Sequence, residues 1–167
     1  MNITWFRSLT EPQGLLIWHE ERAHFLHFLA DVTHGPVKNE LPLWSPATFK
    51  GDRRCLANVI EVRALVFDVD DPWPDVASFD AAIHAALPGT ELAYHTSWSS
   101  VLGALKMRAI VFLSRPVTGA EYRLMWMVVA RKLSASGIYV DTQCKDASRA
   151  YFVPAIPPSG VYQCGDR

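Results

Sequence analysis

Two aspartates, Asp68 and Asp70, stand two residues apart at the end of the apolar run Val62 to Val69, which reads VRALVFDV. Side chains of an extended strand alternate between its faces, so both carboxylates project to one side. Neighbouring carboxylates repel, and a divalent cation that favours oxygen ligands, Mg²⁺ or Mn²⁺, relieves the repulsion. Enzymes that transfer nucleotidyl groups use two such ions about 4 Å apart, one at the attacking hydroxyl and one at the leaving pyrophosphate. Turns also favour aspartate, above all before a proline such as Pro72, so the D-x-D pattern alone leaves a structural reading open. A third acid, Asp141, follows the short apolar stretch Ile138 to Val140. If that stretch is a strand of the same sheet, Asp141 lies beside the pair.

Four cations fall at the edges of expected strands: Arg108, Arg115, Lys145 and Arg149. Arginine grips a phosphate through its two-pronged guanidinium, whereas lysine acts as a point charge, so this set suits a triphosphate or a template strand. Arg53 and Arg54, after Gly51, form a smaller basic spot that reads as a solvated loop. Other signals lead nowhere. His19-Glu20 would need a histidine at position 23 to make a zinc-protease helix, and Ala23 stands there. His24 and His27 share a helix face without further ligands, and the sequence contains no P-loop. Trp5, Trp18, Trp44 and Trp126 read as core or interface residues; Trp98, at a polar loop tip, is the one placed to stack on a base.

The elements that must position these residues can be read from periodicity and punctuation. A short strand is expected at Leu15 to Trp18 and a helix at Glu20 to Ala30. From His34 to Pro46, one glycine and three prolines suggest an irregular connection. Val62 to Val69 is a strand buried on both faces, and Asp71-Pro72-Trp73-Pro74 should end it. Ser78 is the expected N-cap of a helix through Phe79, Ile83 and Leu87, closed by Pro88-Gly89. Glu91 to Thr96 and Met107 to Leu113 form a hairpin around the tip Ser97, Ser99 and Ser100. Thr118 opens a helix whose core face carries Tyr122, Met125, Trp126, Val129 and Leu133, with Gly137 near its end. Ile138 to Val140 and Ala150 to Val153 complete the strands. The mixture is an α+β chain.

The chain has 167 residues, half of them apolar or aromatic, enough for one substantial core. Its formal charge of −1 supplies no global field toward nucleic acid, so phosphate binding must be local. Cys55, Cys144 and Cys164 match neither a disulfide framework nor paired zinc ligands. With no signal pattern and no membrane-length apolar run, the expected setting is the cytoplasm.

The ordered stretches ALVFDVDDP, YHTSWSS, MRAIVFLSRPVTGAEY and VDTQCKDASRAYFVPA resemble the archaeo-eukaryotic primase superfamily, in particular the primase-polymerase domains of plasmid, phage and other mobile-element replication proteins. The resemblance implies an RRM-like mixed or antiparallel sheet with helices packed on one side. It makes 1–167 a single primase-polymerase domain with a motif-bearing core at about 58–158, N-terminal in a longer replication protein. It implies template-directed nucleotidyl transfer, as DNA primase, DNA polymerase or both, on a single-stranded DNA template with nucleoside triphosphates, beside a fused or associated replicative helicase. Asp68, Asp70 and Asp141 would be catalytic and hold two Mg²⁺ or Mn²⁺ ions, with Arg108, Lys145 and Arg149 at the nucleotide. Where the superfamily carries an s-x-H histidine for the incoming phosphates, this chain reads Thr96-Ser97-Trp98-Ser99-Ser100. His95, with Ser97, Ser99 and Ser100, is the expected substitute at the nucleotide. The alternatives are a catalytically silent nucleic-acid-binding module and a metal-dependent nuclease.

Overall fold

The computed structural model describes residues 2–166 apart from 12, 19–21, 36 and 52. His19, Glu20 and the expected first residues of the helix at Glu20 lie outside this set. In chain order the elements are β1 (Asn2–Phe6), β2 (Leu15–Trp18), α1 (Arg22–Ala30), β3 (Thr33–His34), β4 (Leu43–Ser45), β5 (Ala47–Phe49), β6 (Val59–Trp73), α2 (Val76–Ala86), β7 (Leu92–Thr96), β8 (Leu105–Val117), α3 (Gly119–Ala135), β9 (Tyr151–Phe152), β10 (Ala155–Ile156) and β11 (Cys164–Asp166). The class is α+β. A five-stranded antiparallel sheet has the order β11-β7-β8-β6-β5, and a four-stranded antiparallel sheet the order β2-β1-β4-β9. A short parallel pair joins β3 to β10. No described helix is long and apolar enough to cross a membrane.

The two faces of the central sheet have different covers. Residues of one parity, Phe67 on β6 and Tyr94 on β7, meet the helices: Phe67 stacks on Trp126 of α3 at 5.4 Å, and Tyr94 packs edge-on against Phe79 of α2 at 5.6 Å. The opposite parity carries Ala64, Val66 and Asp68 on β6, facing Phe112, Ile110 and Arg108 on β8. That face is covered by α1 and the smaller sheet, through a chain of ring contacts from Phe112 to Phe25, Phe25 to Trp44 and Trp44 to Tyr151. Double burial explains why β6 reads as an unbroken apolar run. It also means that α2 and α3 share one face while α1 lies on the other.

Four local expectations are corrected. β6 does not end before Pro72 but continues to Trp73, because its register with β8 shifts after Val69 and resumes at Trp73↔Leu105. Pro72 thus falls where the ladder is interrupted and no N–H is required. The cap of α2 is Asp75, whose carboxylate accepts from the Ser78 N–H at 2.7 Å, so Ser78 is the capped residue and not the cap. Leu43–Ser45, expected to be irregular, is a wholly buried strand in the interior of the smaller sheet, held between Pro42 and Pro46. Finally, Ile138 to Val140 is no strand. Gly137, at φ +79°, closes α3 in a Schellman motif, with its N–H donating to Ser134 and that of Ile138 to Leu133. Ile138 then drops into the core and leaves Asp141 to cap the 3₁₀ turn Thr142–Lys145.

Candidate active site

A row of side chains crosses the central sheet on the face turned toward the smaller one. In register, Cys164 on β11 stands opposite His95 on β7, His95 opposite Arg108 on β8, and Arg108 opposite Asp68 on β6. Beyond Asp68 the row continues without a strand: the Asp141 N–H donates to the Asp68 carbonyl at 2.8 Å. Asp68 and Asp141 are therefore adjacent through a loop closed by Gly137, and not through the strand on which the expectation of a site beside both Asp68 and Asp70 rested.

Arg108 donates from Nε to Asp68 Oδ1 at 2.6 Å and from Nη2 to Oδ2 at 3.3 Å, and its Nη1 donates to the Phe152 carbonyl at 2.9 Å. Its guanidinium lies 4.8 Å from the centre of the Tyr151 ring. Burial pushes the Asp68 carboxyl up, yet Arg108, with Arg149 beyond it, outweighs burial and holds it below the ordinary carboxylate value. Burial likewise lowers Arg108, and Asp68 more than restores it. Both groups are charged. Arg149 spans the two acids, with Nη2 at 2.9 Å from Asp141 Oδ2 and 4.0 Å from Asp68 Oδ2. Its Nη1 donates to Gln143 Oε1 at 3.0 Å, and Asp141 also accepts from the Gln143 N–H at 2.9 Å.

One ligand atom each from Asp68, Asp141 and Cys144 lies within 4.8 Å of the others. Burial, and then Asp68, push the Cys144 thiol up to about 12. A protonated thiol is a poor partner for a hard cation, so the carboxylate oxygens are the donors that fit Mg²⁺ or Mn²⁺. Asp70 is not in this group. Its side chain is 68% exposed, at the lip of the site, with an oxygen 3.3 Å from Lys106 Nζ. Two alternating pairs thus face each other across β6 and β8, Asp68 with Arg108 and Asp70 with Lys106.

The remaining candidates are dispersed. His95 is 1% exposed; its Nδ1 lies 2.9 Å from the Thr96 carbonyl, and its buried Nε2 has no partner among the described residues. Burial, and secondarily the Arg108 charge, push it down to about 3, so the ring is neutral and shut away from solvent. Ser100 is fully buried and clamps the backbone of Lys106, donating to its carbonyl at 2.8 Å and accepting from its N–H at 3.0 Å. Ser97 and Ser99 pair with each other at the loop surface, 3.4 Å apart. Trp98 is no free platform, since its Nε1 donates to the Gly35 carbonyl at 3.4 Å. Lys145 turns toward α3, lining a groove of about 690 Å³ with Arg123, Leu124 and Met127. Arg115 pairs with Glu121 at 2.7 Å at the far end of β8. Lys106, Tyr151 and the Phe152 carbonyl escaped the sequence reading. For Lys106 a signal was present: Lys106-Met107-Arg108 repeats, with opposite sign, the alternation of Asp68-Val69-Asp70.

No known protein family and no curated protein matches the sequence. Among solved structures, the fold is similar to the AEP domain of the Cyanophage S-2L primase-polymerase (PrimPol), with a TM-score of 0.53 and 14% sequence identity over 98% of this chain and 80% of that one. At that identity the likeness is one of fold, and the fold it shares is that of a primase-polymerase AEP domain.

Proposed function

We propose that this chain is a template-directed nucleotidyltransferase that makes or extends a DNA strand, working on a single-stranded template with nucleoside triphosphates, and that its central sheet is the RRM-like catalytic sheet of a primase-polymerase. The observation that carries the reading is the meeting of Asp68 and Asp141 with Arg108 and Arg149 on one sheet face. Four groups of alternating charge suit a substrate that brings both phosphate and metal. In the reaction a hydroxyl gives up its proton to solvent as its oxygen bonds to the α-phosphorus of the triphosphate, the bond from that phosphorus to the bridging oxygen of the β-phosphate breaks, and pyrophosphate leaves. Asp68 and Asp141 would hold Mg²⁺ or Mn²⁺ with Asp70 completing the set from the lip; such ions would supply Lewis acidity for the attacking hydroxyl and positive charge for the leaving group. Arg108 fixes Asp68 in place by a two-pronged contact. Arg149, less buried and tied to Asp141 and Gln143, places its positive charge at the mouth, where it favours a phosphate.

The test is incorporation of labelled nucleotides on single-stranded DNA, with and without a primer, in Mg²⁺ and in Mn²⁺. Loss of at least a hundredfold in the Asp68→Ala/Asp70→Ala double variant is expected. Unchanged incorporation would sink the assignment. A second reading, nucleic-acid binding without catalysis, is favoured by the closure of His95 and Ser100 beneath the surface. DNA binding that ignores both Mn²⁺ and the carboxylate substitutions, with no product in any condition, would establish it.

A further inference from the structure

The inner face of α3 is spent on the core, yet its outer side is not a polar one. Ala120, Arg123, Met127, Ala130 and Ser134, spaced three and four apart along one side of the helix, form a wall of a continuous groove. Its two lobes, about 690 and 370 Å³, adjoin at Met127 and Lys145, which line both. Leu56 stands across the first lobe from α3, and Tyr139 and Val140 across the second. Leu56, Leu124 and Tyr139 are 55%, 62% and 60% exposed, and Val128, one turn beyond Leu124, is 55% exposed. Aliphatic surface left open along a helix marks a face that meets another molecule. From Ala120 to Ser134 it extends roughly 21 Å, about four helical turns.

Charge narrows the occupant. Lys106, Arg108, Arg115 and Arg149 all pair with carboxylates. Among the described residues, Arg123, Arg131 and Lys145, all exposed on the groove walls, form no ion pair. Asp146, the acid on those walls, is occupied by Ser148, accepting from its N–H and from its Oγ at 2.8 Å each. The rim is therefore positive and the floor aliphatic. Aliphatic side chains give bases nothing to stack on, which disfavours nucleic acid. No strand borders the groove, so a bound segment finds no edge for its backbone and must satisfy its own hydrogen bonds, as a helix does. We infer that this groove docks an amphipathic helix of a partner protein, with leucine-like side chains against Leu124, Met127 and Leu56 and with carboxylates facing Arg123, Arg131 and Lys145. Val140 and Thr142, on either side of Asp141, line the second lobe, so the partner rests against the loop that carries that acid. Nothing in the inference depends on the proposed activity, because the groove lies on the α3 side of the central sheet and the Asp68–Arg108 pair on the other.

The probe is a fluorescein-labelled helical peptide of about four turns, with Leu at alternating intervals of three and four, Glu beside the leucines and Ala and Gln elsewhere. A second peptide carries Lys in place of every Glu. Binding to the full chain is read by anisotropy, without metal or nucleotide. The Glu peptide should bind at least tenfold more tightly than the Lys peptide. Arg123→Glu/Arg131→Glu should reverse that order, and Leu124→Gln should weaken the Glu peptide at least fivefold. All three positions are exposed, and a thermal melt checks that each variant folds. Failure of the Glu peptide to bind, or binding that ignores both folded variants, would overturn the inference even if the chain polymerises. Should oligothymidylate displace the Glu peptide and lose its own affinity in Arg123→Glu/Arg131→Glu, nucleic acid occupies the groove and the partner helix is wrong. Charge-reversible peptide binding in a chain that makes no product would uphold the groove and leave the polymerase reading to fall alone.

Discussion

His95 sits between Arg108 and Cys164 in the cross-sheet row, and its neutrality decides what it does. A ring pushed down to about 3 by burial and by Arg108 brings no positive charge to a phosphate. Its role is to fill the sheet beside Arg108, while Arg108 and Arg149 carry the charge. The consequence appears in stability. The folded-state value lies below the ordinary 6.5, so between about 3 and 6.5 the unfolded chain binds a proton that the folded chain does not. This contribution is complete above pH 6.5 and is lost as pH falls. Asp68, depressed below 3.8, loses its own contribution only in more acid solution, so it leaves the window from pH 7 to 5 undisturbed. Urea unfolding should therefore show the chain about 2 kcal/mol less stable at pH 5 than at pH 7, with most of that difference gone in His95→Gln. An equal pH dependence in the variant would mean that His95 accepts a proton without unfolding.

At the scale of elements, α3 shows how local chemistry fixes a boundary that tertiary contacts then use. Thr118 Oγ1 accepts from the Glu121 N–H at 3.3 Å, and the Glu121 carboxylate accepts from the Thr118 N–H at 2.8 Å, a reciprocal capping box. The start of α3 sets the phase of Tyr122 and Trp126, whose buried polar tips donate to the Cys144 and Val66 carbonyls at 2.7 and 2.9 Å. The helix thereby ties the Asp141 loop to β6. Thr118→Ala should cost about 1 kcal/mol in denaturant unfolding, and Thr118→Ser much less; equal losses would show that the methyl group and not the cap matters. The same locality explains what the sequence revealed. β6, the β7–β8 hairpin and α3 were legible because period, caps and breakers are written within each segment. The strand at Leu43–Ser45 was hidden by its flanking prolines, and the approach of Asp141 to Asp68 depends on a Schellman turn whose effect is tertiary. Lys106 opposite Asp70 was readable only by laying K-x-R antiparallel against D-x-D.

For the whole molecule, the decisive feature is that one core runs through both sheets, joining Ile3, Phe25 and Trp44 to Val66, Phe67, Trp126 and Ile138. The smaller sheet is therefore the cover that makes the Arg108 face a dry interior, where ion pairing with Asp68 is strong enough to keep both groups charged. Trp44 is the keystone of this cover. It is fully buried, packs on Phe25, Phe28 and Tyr151, and through Tyr151 supports the guanidinium of Arg108. Truncating so large a buried side chain costs about 3–5 kcal/mol, and in a chain of this length each kcal/mol shifts the melting temperature by about 2–4 °C. Trp44→Ala should thus lower the melting temperature by roughly 6–20 °C. Trp44→Phe should lower it far less, because the indole Nε1 is buried without a partner among the described residues and its removal forfeits no hydrogen bond. Both variants should melt in a single transition when followed by circular dichroism and by tryptophan fluorescence. Separate transitions by the two probes would show that the sheets unfold independently, and the Arg108–Asp68 pair would then owe its surroundings to the central sheet alone.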